Sequence, residues 1–169
     1  MTAARLRPLA LLVAAAAALA APPARAQVPA PASDSAAVLA VVQRLFDTMR
    51  TRDTATMRTL FEPGARLVGM RATPDGGQRL QSIPLERWLA AVAGATRGPW
   101  VERAFAPEVR LDGTLATVWA AYDFHFGTTP SHCGTDAVQL LKTGERWVIV
   151  SIADTYRTDG CPTREPPRP

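Results

Sequence analysis

The chain has 169 residues, with 19 basic and 15 acidic side chains and a formal net charge of +4. This length fits one domain, and the basic residues do not cluster in the way that is typical of a nucleic-acid-binding protein. Two cysteines alone make no zinc site, and no Gly-rich phosphate loop or G-x-S-x-G elbow occurs.

The first 26 residues predict a secretory signal peptide. Arg5 and Arg7 precede an apolar run, Leu9–Ala21, and Ala24-Arg25-Ala26 forms a small-x-small cleavage site before Gln27. The run is too short to cross a bilayer as a helix. We therefore expect an exported protein, periplasmic or secreted, that begins at Gln27 and has no membrane span.

The mature chain divides into three parts. We expect residues 27–33 to form a Pro/Ala linker, residues 34–161 the folded domain, and residues 162–169 a disordered Pro/Arg tail. The leader holds three arginines and no acid, so the mature chain has 16 basic and 15 acidic side chains and a net charge of +1.

Three helices are predicted in the first half of the domain. The first has capping oxygens at residues 33–35 and an apolar stripe at helical spacing, formed by Val38, Val41, Val42, Leu45, Phe46 and Met49. A short second helix begins at Asp53 or Thr54. The third begins at Pro84 and stops at Gly94.

Six strands are predicted around these helices. Ala65–Ala72 and a short strand near Gln78–Ser82 flank a turn at residues 74–77. Four long strands follow, namely Trp100–Val109, Leu115–Phe126, His132–Lys142 and Arg146–Tyr156. Helices followed by an antiparallel meander indicate an α+β fold with helices on one face of the sheet.

Several segments resemble one superfamily. They are VVQRLFDTMRTRDTATMRTLFEPGARLVGM, SIPLERWLAAV, TLATVWAAYDF and VQLLKTGERWVIVSIADT. Over Ser35–Thr155 the chain is similar to the nuclear transport factor 2-like superfamily, and within it to the "putative lumazine-binding" group and to polyketide cyclase and ketosteroid isomerase relatives. The resemblance implies a cone-shaped curved antiparallel sheet wrapped around the long N-terminal helix, with an internal pocket.

Hairpin turns predict which side chains face the interior. A turn at Asp112-Gly113 places Arg103 opposite Tyr122, with Val101, Phe105 and Val109 inside and Glu102, Asp123 and His125 outside. For the next hairpin, matching apolar residues favours Val118 opposite Leu140, and a slip by one residue would turn Thr135 and Gln139 inward. A three-residue turn at Thr143–Glu145 then places Val138 opposite Val150.

The predicted interior has an apolar base and a polar mouth. The base comprises Val118, Ala120, Val138, Leu140, Val148, Val150 and Ile152. The candidate ligand-binding residues at the mouth are Arg103, Tyr122, His132, Asp136, Asp154 and Tyr156. A structural interpretation stands beside this one, in which Arg103 and Asp136 form an ion pair and Tyr122 is a core aromatic residue.

Three functions fit this pattern. The first is binding of a small apolar or aromatic molecule, without cofactor. The second is an isomerase or cyclase, with Asp136 as general base and Tyr122 or Arg103 stabilising an oxyanion. The third is an interaction module acting through the outer sheet face, where Trp100, Trp119, Trp147, Leu141 and Ile149 could form a homodimer interface. His125 and His132 alone make half a metal site, so no metal is expected.

The two cysteines predict a disulfide in an exported protein. Cys133 and Cys161 would close a loop of about 28 residues, for which chain entropy gives about 3.5 kcal/mol. A pair of free thiols is the alternative.

Overall fold

The computed structural model describes residues 33–162, so the predicted signal peptide, nearly all of the linker and most of the tail lie outside the described residues. Within that range the chain forms three helices, α1 (Asp34–Thr51), α2 (Thr54–Thr59) and α3 (Leu85–Ala93). It also forms six strands, β1 (Phe61–Ala72), β2 (Gln78–Pro84), β3 (Trp100–Asp112), β4 (Leu115–Phe126), β5 (Thr129–Thr143) and β6 (Arg146–Asp154). None of these helices is long and apolar enough to cross a membrane.

The six strands make one curved, unclosed sheet in the order β2-β1-β6-β5-β4-β3. The α+β fold and the curved sheet beside a long N-terminal helix are therefore confirmed. One detail differs from the predicted antiparallel sheet, because β1 runs parallel to β6. The β1–β2 hairpin and the β3–β6 meander are each antiparallel within themselves, and local turn signals do not specify how the two units join.

Helix α1 begins and packs as its sequence predicts. The Ser33 hydroxyl accepts a hydrogen bond from the Ala36 amide at 3.3 Å, which caps the helix. Its apolar stripe is buried, with Val38, Leu45 and Met49 at 2% exposure or less. This stripe covers the face of the sheet that carries Val118, Val138 and Leu140, and these residues form one hydrophobic core. We call this the inner face of the sheet.

A bulge in β3 makes the pairing of β3 with β4 differ from the predicted register. The turn residues are Gly113 and Thr114, so Val109 lies opposite Val118 on the inner face. Between Phe105 and Glu108 the register shifts by one residue, and Ala106 there adopts a positive φ of 46°. A shift of one residue exchanges the two faces of a strand.

Beyond the bulge, Glu102 lies opposite Phe124 and Arg103 lies opposite Asp123. Glu102 and Trp100 are therefore on the inner face. The prediction that Arg103, Val101 and Phe105 point inward and Glu102 outward is wrong. The Ala106-Pro107 pair was the missed signal, because a proline inside a strand is typical of a bulge or an edge.

The β4–β5 pairing keeps the predicted faces although its register differs by two residues. Val118 lies opposite Val138 and Tyr122 opposite Gly134. An even slip preserves the inner face, so Asp136 faces inward as predicted and Gln139 is exposed on the other side.

In β6 a two-residue turn and a bulge change the predicted inner residues. Leu140 lies opposite Ile149 and Leu141 opposite Val148, and Asp136 lies opposite Asp154. Ile149 is thus an inner residue. Val148 pairs with Leu141, which faces outward, and Val150 is the unpaired residue of the bulge, so the prediction that Val148 and Val150 line the inner face is wrong.

Two of the three tryptophans expected on the outer face belong to the core side. Trp147 is 5% exposed in the hydrophobic core, and its Nε1 donates to Asp34 Oδ1 at 3.2 Å. Trp100 packs against that core, whereas Trp119 is 59% exposed as predicted. The outer apolar patch is correspondingly smaller.

The predicted disulfide between Cys133 and Cys161 is present, with Cα atoms 5.7 Å apart. Cys133 and Arg157 also exchange two backbone hydrogen bonds of 3.0 Å. The chain after β6 is thereby fastened beside the start of β5.

Candidate functional site

A cavity of about 310 Å³ lies between α1, α3 and the inner face of the sheet. Its apolar and aromatic walls include Leu45, Phe46, Met49, Leu67, Ile83, Trp88, Trp100, Phe124, Phe126, Val138 and Ile152. Its polar and charged lining includes Arg71, Gln81, Arg97, Glu102, Tyr122, Ser131, His132, Asp136, Asp154 and Tyr156. Apolar walls with a few convergent polar groups are typical of small-molecule sites.

Two carboxyl groups meet inside the cavity. Glu102 comes from β3 and Asp136 from β5, on either side of β4, and their carboxyl groups share a hydrogen bond. Burial, and then the charge of Asp136, raises the pKa of Glu102 well above its ordinary value. Burial raises the pKa of Asp136 to about 6. Burial and mutual repulsion therefore oppose ionisation of both carboxyl groups at once.

A third carboxylate, Asp154, is paired with Arg71. Their side chains make two contacts, Nη2 to Oδ2 at 2.8 Å and Nη1 to Oδ1 at 3.1 Å. Burial raises the pKa of Asp154, and the Arg71 guanidinium opposes that shift. Gly69 lies opposite Asp154 in β1, and a Cβ atom there would overlap both side chains. Glycine at position 69 makes room for this ion pair.

The Tyr122 hydroxyl donates its hydrogen bond to the backbone. Its oxygen donates to the Thr155 carbonyl at 2.8 Å and lies 3.5 Å from Asp154 Oδ2. Burial, and then the charge of Asp154, raises the pKa of the phenol, so Tyr122 stays neutral. Gly134 leaves room for the ring, because a Cβ atom there would lie 2.7 Å from Tyr122 Cε1.

A stack of three rings forms part of the cavity wall. His132 lies between Phe124 and Tyr156, with ring centroids 4.6 and 4.1 Å away and interplanar angles of 20° and 26°. Burial, and then the charge of Arg71, lowers the pKa of His132 to about 4, so the imidazole is neutral near pH 7. The Arg71 guanidinium carbon lies 5.1 Å from the centre of the Tyr156 ring.

The cavity brings together five of the six side chains predicted at its mouth, namely Tyr122, His132, Asp136, Asp154 and Tyr156. The exception is Arg103, whose Nε and Nη2 bind Asp123 at 2.8 and 2.6 Å on the outer face. The alternative ion pair between Arg103 and Asp136 is therefore also wrong. The β3 bulge is the cause, because it turns Arg103 away and brings Glu102 in.

Sequence reasoning missed Glu102 and Arg71 as cavity residues. The proline beside the β3 bulge could have signalled Glu102. Arg71 gave no local signal, since it reaches Asp154 only through the parallel contact of β1 with β6. His125 and His132 lie on opposite faces as predicted, and within residues 33–162 no cluster of three His, Cys, Asp or Glu side chains could hold a metal.

Comparisons with known proteins agree with this architecture. An NTF2-like (nuclear transport factor 2-like) protein of unknown function from Shewanella baltica superposes with a TM-score of 0.57 at 19% identity, covering 75% of this chain and 95% of its own. A second NTF2-like protein, from Methylobacillus flagellatus, has a TM-score of 0.56 at 18% identity, with coverages of 78% and 98%. A protein from Xanthomonas campestris described as a "putative calcium/calmodulin dependent protein kinase II association domain" has a TM-score of 0.57 at 16% identity, with coverages of 79% and 94%.

At these identities the solved structures show the fold alone. Among curated proteins, none matches the sequence. A family model described as "Putative lumazine-binding" matches residues 33–153, nearly the whole folded domain. The chain therefore belongs to the "putative lumazine-binding" family, within the nuclear transport factor 2-like superfamily.

Proposed function

We propose that this domain binds a small, mainly aromatic or apolar molecule in the inner cavity. The observation that carries the proposal is the combination of aromatic walls with a few buried polar groups in a space of about 310 Å³. That volume lies at the lower end of the range for ligand pockets, which favours a compact ligand. The family description supports binding of a small molecule.

The stacked wall suggests how a flat ligand would be held. A planar ring can continue the series of Phe124, His132 and Tyr156, and offset stacking adds to the free energy of burying its area. His132 is neutral, contacts the Ser131 hydroxyl at 3.0 Å and has both ring faces covered by Phe124 and Tyr156, so it holds the stack together and offers the ligand no charge.

Titration with lumazine and 2-naphthol, followed by tryptophan fluorescence, tests the proposal because Trp88 and Trp100 line the cavity. We expect Ile83→Trp, which fills the cavity from a half-buried position, to weaken binding at least about tenfold. Trp119→Phe on the outer face is the control and should bind normally. Equal binding by the wild type and Ile83→Trp would contradict the proposal, as would the absence of any binding.

Acid–base catalysis is a second candidate, favoured by the pKa of Asp136 near 6 and by the raised pKa of the neighbouring Glu102. Asp136 would take a proton next to a carbonyl group, and the Glu102 carboxyl would donate a hydrogen bond to the developing oxyanion. The Tyr122 hydrogen is already used by the Thr155 carbonyl, and Arg103 is on the other face. With any substrate found, Asp136→Asn should keep affinity and lose turnover; unchanged turnover excludes this role.

Export and self-association are separate proposals. The disulfide supports an oxidising compartment, and mass spectrometry of exported protein should find Gln27 as the first residue.

The outer face presents Trp119, Leu115 and Leu141, each more than 40% exposed. This patch supports a homodimer or another protein partner, and sedimentation of wild type against Trp119→Glu tests the homodimer.

A further inference from the structure

We propose that the cavity selects ligands that carry a protonated amine on an aromatic or apolar body, with the ammonium group bound between Glu102 and Asp136. The inference rests on the proposed function and specifies the ligand class of the same site. It depends on the charge that the cavity leaves uncompensated and on the aromatic rings around that charge.

Within residues 33–162, no Lys or Arg side chain forms an ion pair with Asp136 or Glu102. Asp136 is 6% exposed and lines the cavity. Arg71 is held by both oxygens of Asp154. A buried negative charge whose only partner is another carboxyl group is best compensated by a ligand cation.

The other charged side chains near the cavity do not take the place of a ligand cation beside Glu102 and Asp136. Arg97 lines the cavity with its guanidinium carbon 4.1 Å from the centre of the Phe126 ring, and it is not among the charges that shift the pKa of either carboxyl group. The charges that act on the pair are those of Asp154 on β6, Asp123 on β4 and Arg71 on β1. Tyr122 and His132, which also line the cavity, are both neutral.

The aromatic rings near Glu102 also favour a ligand that carries an ammonium group. Phe124 lies opposite Glu102, and Trp100 packs edge-on against Phe124 with a centroid distance of 5.6 Å. The faces of such rings carry partial negative charge and attract ammonium groups. A ligand carboxylate would instead meet both the pair and the ring faces, so the same surfaces discriminate against anions.

Binding of an ammonium group has a proton balance that a neutral ligand lacks. The ammonium group pairs with the Asp136 carboxylate and can donate a second hydrogen bond to Glu102, so it competes with the proton that Asp136 takes up below its pKa of about 6. At pH 6 amine binding should therefore release about half a proton to solvent. Affinity should rise from pH 5 to pH 7 and then level off while the amine stays protonated.

Three matched probes test the preference by titration calorimetry with the purified chain at pH 7, namely 2-naphthylethylamine, 2-naphthylethanol and 2-naphthylacetate. The amine should bind at least about tenfold more tightly than the alcohol, and the acetate most weakly. Glu102→Gln and Asp136→Asn should each remove the preference for the amine. Glu108→Gln, an exposed change on the same strand as Glu102, should leave it intact.

Proton release is measured from the amine enthalpy at pH 6 in phosphate and in Bis-Tris buffer, with the alcohol as the control that releases none. If a variant fails to fold by circular dichroism, the wild-type ranking and proton release decide alone. Alcohol affinity equal to or above amine affinity overturns this inference and leaves the proposed binding function in place. Binding of none of the three probes overturns both.

Discussion

At the scale of single residues, the site depends on which side chains are charged. Burial raises the pKa of both Glu102 and Asp136, because two adjacent negative charges are unfavourable away from water. Arg71 and Asp154 neutralise each other in the space left by Gly69. The neutral forms of His132 and Tyr122 follow from the same burial. One buried negative charge thus remains available to a ligand.

This charge state predicts how stability depends on pH. The pKa of Asp136 is about 6 in the folded chain and 3.8 ordinarily, so its protonated form favours folding below about pH 4. That contribution is lost as the pH rises through 6. The free energy of unfolding of Asp136→Asn minus that of the wild type should therefore increase by about 2 kcal/mol between pH 4 and pH 7.

Urea denaturation at each pH measures this difference, with Glu108→Gln as the control. The exposed Glu108 replacement should give a difference that changes little with pH. A difference for Asp136→Asn that falls as the pH rises would mean that the Asp136 carboxylate is stabilised in the folded chain.

At the scale of secondary-structure elements, the β3 bulge decides the composition of the site. It exchanges Arg103 for Glu102 on the inner face by one residue of register. Ala106 sits in this bulge with a φ of 46°, which is unfavourable for a residue with a Cβ atom.

Replacing Ala106 by glycine should relieve that strain and stabilise the fold by about 0.5–1 kcal/mol. The matched control is Ala121→Gly, at the exposed β4 position opposite Phe105, where the backbone is regular strand. The control should instead destabilise by a similar amount, about 0.5–1 kcal/mol. Thermal unfolding distinguishes the two, and destabilisation by Ala106→Gly would contradict the strain argument.

The elements themselves could be predicted from the sequence, because helical and alternating periodicities are local. Asp53 caps the start of α2 and Gly94 the end of α3, as expected. Side-chain direction was predictable in β4 and β5, where apolar matching excluded an odd slip. It failed in β3 and β6, where bulges add one residue that no apolar pattern reveals. The contact of Arg71 with Asp154 joins strands far apart in sequence, so no local pattern could predict it.

At the scale of the whole molecule, the disulfide connects the end of the domain to the wall of the cavity. Cys133 directly follows His132 in β5, and the segment fastened by Cys161 begins with Tyr156, whose ring stacks on His132. The bridge therefore helps to hold two of the three stacked rings, those of His132 and Tyr156, in addition to its effect on the unfolded chain.

Removing the bridge should lower stability and ligand affinity together. For a sequence separation of 28 residues, Cys133→Ala/Cys161→Ala should lose about 3.5 kcal/mol of unfolding free energy. Affinity for 2-naphthol should fall as well, because Tyr156 loses its fixed position on His132. Tyr156→Leu with the disulfide intact separates the effects, since it should weaken binding with a smaller loss of stability. Full affinity in the folded double alanine variant would show that backbone pairing of Cys133 with Arg157 holds the stack without the disulfide.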